Sequence, residues 1–141
     1  MQKAVLNVAQ DQDVCILVAV VADYAPKVKS NHKIKKTSSD MVLEFTRTPD
    51  ILSSLRDHVK EDTFLCGFSM ETQDLLENSK KKLISKNVDM IVANNLKEQG
   101  AGFGTDTNRV TIISEKEEKN LELMSKEEVA DEILNYILEM K

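Results

Sequence analysis

Two lysines on one predicted helix have a spacing that suits an extended anion. On a wheel of about 100° per residue, Lys82 and Lys86 fall on the flank of the apolar face, whereas Lys81 lies opposite it. Like charges four residues apart repel by roughly 0.2–0.5 kcal/mol, and a bound phosphate would offset that repulsion. Two lysines whose aliphatic stems cover the rim of the core would have the same placement. The spacing alone therefore leaves both interpretations open. The helix is expected over residues 72–86, with its apolar face at Leu75, Leu76, Leu83 and Ile84.

A second group of cations lies in the segment from Lys27 to Lys36, which holds five lysines and one histidine in ten residues. It has three interpretations: a solvated turn, a nucleic-acid patch, or a mobile loop that closes over an anionic ligand. The segment has no arginine and no interleaved aromatic residue, which base readout and stacking favour. Lysine is a point charge suited to phosphate, and a closing loop excludes water.

The stretch from Val14 to Ala22 predicts a buried strand that orients these groups. Its nine residues are all apolar and mostly β-branched, and both alternating faces are apolar, as in the middle of a parallel sheet. Ligands of such sheets bind beyond the carboxyl ends of the strands. Here that end leads into Asp23, Tyr24 and Pro26, and then into the lysine-rich segment. We therefore expect the ligand at this edge.

Composition limits the class of protein. The 141 residues suit one domain, and 41% hydrophobic with 30% charged residues indicates a soluble protein. The net charge of −5 argues against binding nucleic acid through overall basicity. Cys15 and Cys66 lie in apolar runs without metal-ligand spacing, which predicts reduced thiols in a cytoplasmic protein. We see no secretory signal and no membrane-spanning stretch in the sequence.

The remaining pattern predicts alternating helices and strands. Thr48 and Pro49 indicate a helix start, which would run to about Val59. Ser125 and Glu128 form a capping box before the last helix, whose core positions are Val129, Ile133, Leu134 and Ile137. The other predicted elements are a helix from Lys3 to Gln10, a β-ribbon of Lys33 to Lys36 with Met41 to Phe45, strands over 63–68 and 88–93, and a hairpin of 110–114 with 121–124 around the tip 115–120.

An ordered series of motifs resembles phosphopantothenate–cysteine ligase, the C-terminal half of a bifunctional coenzyme A biosynthesis flavoprotein of bacteria. Each motif is weak alone, but seven of them in order with the expected gaps make the resemblance specific. It implies an α/β, Rossmann-like, three-layer fold with a mostly parallel sheet and a β-ribbon. Residues 1–141 resemble the C-terminal three-fifths of that domain. The motifs are Ala22-Asp23-Tyr24-Ala25-Pro26, Lys33-Ile34-Lys35-Lys36, Thr48-Pro49-Asp50-Ile51-Leu52, Gly67-Phe68 with Glu71-Thr72, Lys82-Leu83 with Lys86 and Asp89, Ala93-Asn94, and Phe103-Gly104 with Asn108.

The resemblance implies an activity. The family joins 4′-phosphopantothenate to cysteine through an acyl-cytidylate intermediate, using CTP in bacteria and ATP in eukaryotes; we expect CTP here. Mg²⁺ assists by neutralising the triphosphate, and no metal-ligating residue is assigned in this chain. The resemblance also implies a homodimer, with the predicted ribbon in the contact, and a flavin-dependent decarboxylase domain as a fused or associated partner. It implies no membrane and no nucleic acid as partners.

Site residues follow from the same resemblance. The triphosphate is expected near Lys33, Lys82 and Lys86, and Lys33 is the expected catalytic residue. The base and ribose are expected beside Leu17, Val18, Ala19, Asp23, Pro49, Asp50, Ile51, Leu52 and Phe68.

The sequence departs from the family pattern mildly at Ser69 and Met70, where the family usually has alanines. The larger departure is an absence. The strand, glycine-rich turn and asparagine-bearing substrate segment that begin the family's domain, its N-terminal βαβ portion, are not found in residues 1–141. We therefore expect these residues alone to be inactive as a ligase.

Three hypotheses from different classes remain at this point: a ligase, a non-catalytic nucleotide-binding or regulatory module, and a nucleic-acid binder that shares only the fold. Binding of CTP with Mg²⁺ separates the first two from the third. Release of pyrophosphate separates the ligase from the module.

Overall fold

The computed structural model describes the chain except for Thr37, Ser39, Thr72, Gln73 and residues 96–100 and 102–103. The helices are α1 Gln2–Ala9, α2 Ile51–Leu55, α3 Leu75–Ser85 and α4 Lys126–Met140, and a 3₁₀ turn follows α2 at Arg56–His58. The strands are β1 Val14–Leu17, β2 Tyr24–Pro26, β3 Phe45–Arg47, β4 Phe64–Glu71, β5 Met90–Asn95, β6 Thr107–Asn108, β7 Val110–Ser114, β8 Glu118–Asn120 and β9 Met124–Ser125.

The described chain divides into two compact units. The first comprises Met1–Ala19 and Ile51–Lys141, and the second is Val20–Asp50. Among the helices of the described residues, none has the length and apolar character needed to cross a membrane.

A five-stranded sheet organises the first unit, in the order β1-β4-β5-β7-β8. β1, β4 and β5 are mutually parallel neighbours, whereas β7 and β8 join the sheet antiparallel. The predicted α/β class with parallel strands is confirmed. Because β1, β4 and β5 run the same way, their carboxyl ends meet at one edge of the sheet.

Helices cover both faces of this sheet, which makes three layers. On one face α4 packs Val129, Ile133 and Ile137 against Cys66 and Val92. On the other face α1, α2 and α3 pack against β4 and β5, with Leu55 and Leu83 buried. Successive residues of β4 alternate between the two clusters, as the two-residue period of a strand requires. The α4 start is the predicted capping box, with Ser125 and Glu128 bonded reciprocally.

β1 corrects the prediction made from Val14 to Ala22. The strand ends at Leu17, its residues are half-buried, and it lies at an outer position of the sheet order rather than in the middle. Val18 and Val20 are exposed. An apolar run limits where a strand can lie, but it does not decide how many residues find a neighbouring strand.

Two antiparallel pairings also differ from expectation. A ribbon does form in the second unit, but it pairs β2 with β3, whereas Lys33 to Lys36 lie outside regular structure. Its strands are tied by the backbone bond from Lys27 to Glu44 and by a Lys27–Glu44 ion pair of 3.1 Å. In the first unit the hairpin partner of β7 is β8, so the turn is only 115–117. The predicted partner, 121–124, instead holds the buried Leu121 and the start of β9.

Of the four residues predicted for the apolar face of α3, two face the core and two do not. Leu83 is buried and Leu75 half-buried, but Ile84 is 77% exposed and Leu76 is exposed as well. The helix instead turns Ser79 towards the sheet, so the buried stripe is narrower and rotated towards Lys82. In α4 the predicted core residue Leu134 is also exposed.

Candidate functional site

At Gly67, in the middle of β4, an aliphatic wall of Leu17 and Leu52 lies against the sheet. Leu17 of β1 is in register with Gly67 of β4. A Cβ at Gly67 would clash with Cδ2 of Leu52 and would lie 3.2 Å from Cδ1 of Ile91. The missing side chain therefore lets α2 lay Leu52 directly on the strand. Leu17 and Leu52, two residues predicted for the base and ribose, share this face of the sheet.

Two residues further along β4, a lysine is held at the same face. Ser69 is 1% exposed, and its Oγ accepts a hydrogen bond of 3.0 Å from Nζ of Lys82. α3 runs back along the sheet between the parallel strands β4 and β5, and helical side chains lean towards the helix N-terminus. Lys82 thus reaches back towards the carboxyl end of β4. The predicted flank position of this lysine is confirmed, since it is half-buried while Lys81 is exposed and pairs with Glu77.

Lys86 lies at the end of α3. It is the C-terminal cap residue, and its backbone N–H donates to the carbonyl of Lys82 at 3.0 Å. It is half-buried like Lys82, but it lies one turn, about 6 Å, further from the start of the helix. Its side chain would have to extend along the helix to reach the ligand of Lys82.

Other predicted site residues of the first unit are distributed differently. Ile51 is buried at the first position of α2. Val18 and Ala19 follow the end of β1 and are exposed. Phe68 packs against the cluster on the α4 face, opposite to the face that carries Leu52 and Lys82. A base bound against Leu52 would therefore not stack on Phe68 in this arrangement.

The predicted residues of the second unit are all exposed. Asp23 accepts a backbone bond of 2.9 Å from Thr48 through its carbonyl, and Lys33 lies in irregular structure. Pro49 and Asp50 end this unit. Thr48, predicted as a helix cap, donates a hydrogen bond of 2.5 Å from its hydroxyl to the carbonyl of Ala22. This bond links two segments of the second unit that are 26 residues apart.

The contacts of two residues, Ser69 and Asn94, were not predicted from the sequence. Ser69 counted only as a mild departure from alanine, yet it is the partner of Lys82. Asn94, at the carboxyl end of β5, accepts a 2.9 Å bond at Oδ1 from Nδ2 of Asn108, whose own Oδ1 accepts from the backbone of Arg109. An asparagine that directly follows an apolar strand is the signal for this pair.

Burial raises the pKa of both cysteine thiols. Cys66 is fully buried on the α4 face, and burial raises the pKa of its thiol to about 12. Cys15 belongs to the opposite face, and burial also raises the pKa of its thiol. Because the two side chains lie on opposite faces, they stay apart, and both cysteines are free as predicted.

In the described part of the chain, no group of three or more His, Cys, Asp or Glu residues is arranged to hold a metal ion. The groups that this face of β4 presents are the ammonium of Lys82, the hydroxyl of Ser69 and the aliphatic wall of Leu17 and Leu52. Such a set suits an anion attached to an apolar or planar group.

Comparison with known proteins agrees with this architecture. The fold is that of a three-layer α/β domain with a mixed sheet. A solved structure of the DNA/pantothenate metabolism flavoprotein from Streptococcus pneumoniae shares it with a TM-score of 0.80 at 24% identity, over 99% of this chain and 69% of that one.

The chain belongs to the family described as the DNA/pantothenate metabolism flavoprotein C-terminal domain, which matches residues 1–140. It is 48% identical over 138 residues to the coenzyme A biosynthesis bifunctional protein CoaBC of Bacillus subtilis, covering 97% of this chain and 34% of that protein. A crystal structure of the C-terminal domain of a CoaBC protein is 43% identical with a TM-score of 0.77, over 99% of this chain and 62% of that one. The predicted resemblance is confirmed, and the 62% agrees with the predicted three-fifths. The chain thus spans about a third of the bifunctional relative.

Proposed function

We propose that the chain supplies the nucleotide-binding part of a phosphopantothenate–cysteine ligase in coenzyme A biosynthesis. The reaction would be CTP-dependent, with ATP a poorer substrate, and would join 4′-phosphopantothenate to cysteine as 4′-phosphopantothenoylcysteine. Family membership and the CoaBC relatives support this choice. The observation that carries it is the half-buried Lys82, which donates to Ser69 two residues beyond Gly67, the position on β4 where Leu52 packs.

The chemistry explains why a held lysine is useful. A carboxylate oxygen of 4′-phosphopantothenate attacks the α-phosphorus of CTP, and the bond to the bridging oxygen of the β-phosphate breaks. Pyrophosphate leaves with that electron pair. The cysteine amine then attacks the acyl carbon, CMP departs and the amine loses a proton. Lys82, Lys86 and Lys33 would offset the negative charge that the triphosphate concentrates.

Magnesium would arrive with the nucleotide. The phosphate oxygens of CTP would be among the ligands of Mg²⁺. Its chemistry there is charge neutralisation. The residues of the chain would then orient the nucleotide rather than the metal.

Two measurements on residues 1–141 test this proposal. Isothermal titration with CTP and Mg²⁺ should show binding, and ATP should bind more weakly. Pyrophosphate release with CTP, Mg²⁺, 4′-phosphopantothenate and cysteine should be absent, because the asparagine-bearing substrate segment of the family lies outside this sequence. Turnover within about tenfold of a typical 10 s⁻¹ would contradict this division of the domain.

A longer chain that also carries the family's substrate segment separates ligase from module. We expect it to release pyrophosphate only when all substrates are present. Binding of CTP without turnover in that longer chain would favour a non-catalytic or regulatory module. No binding of CTP at all would overturn the proposal.

The role of Lys33 is testable in the same longer chain. Its exposed position in irregular structure supports a charge that acts only once the substrates are bound. Lys33→Gln should therefore lower kcat by far more than it raises the Kd for CTP. A matched Lys35→Gln variant, two residues away, controls for loss of general positive charge. Equal losses in kcat and in affinity for Lys33→Gln would contradict this role.

We also propose a homodimer in which the second unit takes part, and a flavin-dependent decarboxylase domain as the partner. Large apolar side chains are exposed in this unit, among them Met41, Val42, Leu43 and Phe45. Burial of such side chains in a self-complementary contact would remove them from water. Sedimentation at tens of micromolar should show a dimer in native salt. A strictly monomeric species would count against this contact.

A further inference from the structure

Ser69 is a polar side chain that is buried in the strand, where its hydroxyl requires a hydrogen-bond partner. It lies on β4 at 1% exposure, on the same face as Leu65 and Gly67, and next to Ala93 of β5 in the strand register. Burial of a hydroxyl without a hydrogen bond destabilises a protein. The 3.0 Å bond from Lys82 supplies that partner. The bond also constrains the lysine.

A lysine side chain has four rotatable bonds and loses rotamer entropy when one geometry is fixed. If Ser69 fixes that geometry in the unliganded protein, the lysine loses less rotamer entropy when the ligand binds, and the affinity is higher. The serine oxygen is also neutral, so its bond orients the ammonium without cancelling its charge. Since an ammonium carries three N–H donors, this bond takes one of them.

We propose that Ser69 is a positioning residue that holds the ammonium of Lys82 ready for the phosphates of a nucleoside triphosphate. This inference rests on the proposed function, because it takes the ligand of Lys82 to be the triphosphate. Ser69 itself need not touch the ligand. It acts through the orientation of Lys82.

The test compares Ser69→Ala, Lys82→Gln and the double variant in titrations with CTP and with inorganic tripolyphosphate. Ser69→Ala should weaken both ligands about three- to tenfold, the range of the net contribution of a typical hydrogen bond. In the Lys82→Gln background the same change should have no further effect on affinity, because nothing remains to be oriented. Cytidine has no phosphate, so it should bind the wild type and Ser69→Ala with equal affinity. A general structural defect would weaken cytidine as well.

Ser79→Ala is the matched control. Ser79 is also a fully buried serine on this face of the sheet, but its hydroxyl has no hydrogen-bond partner in the described structure. Removing it makes the same chemical change without disturbing the Lys82 contact. Its affinity for CTP should equal that of the wild type. Thermal unfolding of each variant checks that the folded fraction is the same.

The outcomes separate this inference from the proposed function. If Lys82→Gln weakens CTP but Ser69→Ala leaves it unchanged, Ser69 is not a positioning residue and the proposed function stands. If the two changes are additive, the serine acts independently of Lys82 and the inference fails. If the wild-type protein binds neither CTP nor tripolyphosphate, both are overturned.

Discussion

The two ends of β4 each receive a basic side chain from a neighbouring helical segment, but the acceptors differ. At the amino end, Arg56 donates to Asp89 at 2.7 Å and to the carbonyls of Thr63 and Asn87. The same Asp89 oxygen accepts the backbone N–H of Leu65 at 2.7 Å. At the carboxyl end, Lys82 donates to the neutral hydroxyl of Ser69.

The difference supports the proposal that one end of β4 contributes to stability and the other to binding. A carboxylate at the amino end neutralises the arginine, so this cluster fixes the start of β4 and β5. At the carboxyl end, the hydroxyl of Ser69 accepts a hydrogen bond from Lys82 and is itself uncharged. The end of a parallel strand is also where ligands of such sheets bind. We therefore expect mutations at the two ends to have different consequences.

Asp89→Ala should give the largest loss of stability. It removes the acceptor of Arg56 and leaves the N–H of Leu65 without its side-chain partner. Because both partners are partly buried, the free energy of unfolding should fall by about 2 kcal/mol. Urea unfolding measures this loss. The CTP affinity of the folded protein should stay within about twofold of the wild type, and a tenfold loss of affinity would break the proposed separation.

Gly67→Ala should disturb the packing of Leu52 on the middle of β4, with a smaller cost in stability. The new Cβ requires Leu52 to move away from β4, and Ile91 to give slightly. The end of a leucine side chain can swing aside, so we expect a loss of about 1 kcal/mol, the low end for overpacking. The displaced Leu52 should weaken CTP binding more than tripolyphosphate binding, since it lies in the wall predicted for the base. Equal weakening of the two ligands would place the base elsewhere.

Ser79→Ala should have the smallest effect, and its sign is diagnostic. Its Oγ is buried without a hydrogen bond in the described structure, so the alanine removes a polar group that is already unsatisfied. Alanine also has the higher helix propensity. The free energy of unfolding should stay the same or rise by up to about 1 kcal/mol in urea titration. A clear loss of stability would show that this hydroxyl has a partner.

The alternation of helices and strands could be predicted from the sequence where the patterns are strong. The capping box at Ser125 and the apolar strand at β7 are local signals, and both are confirmed. The length and position of β1 were wrong, because the pairing of a strand depends on its neighbours and not on its own residues. The rotation of α3 was also missed, since Ile84 and Ser79 exchange the expected sides.

The sequence predicted which kinds of residue the candidate site contains, but it did not predict the contacts between them. The flank position of Lys82 follows from helical spacing, but its hydrogen bond to Ser69 joins residues thirteen positions apart in different elements. No periodicity reports such a contact. Likewise, Phe68 and Leu52 come from adjacent motifs, yet strand alternation places Phe68 on the opposite face.

The most direct test of the separation along β4 is the CTP affinity of Lys82→Gln, measured together with its stability. Glutamine keeps much of the length of the side chain and removes the charge, and its amide N–H can donate to Ser69 in place of the ammonium, so the buried hydroxyl keeps a partner. The account predicts that the Kd for CTP rises roughly 5- to 150-fold, equivalent to about 1–3 kcal/mol, while the free energy of unfolding changes by less than about 0.5 kcal/mol. An unchanged Kd would contradict the assignment of the triphosphate to the carboxyl end of β4.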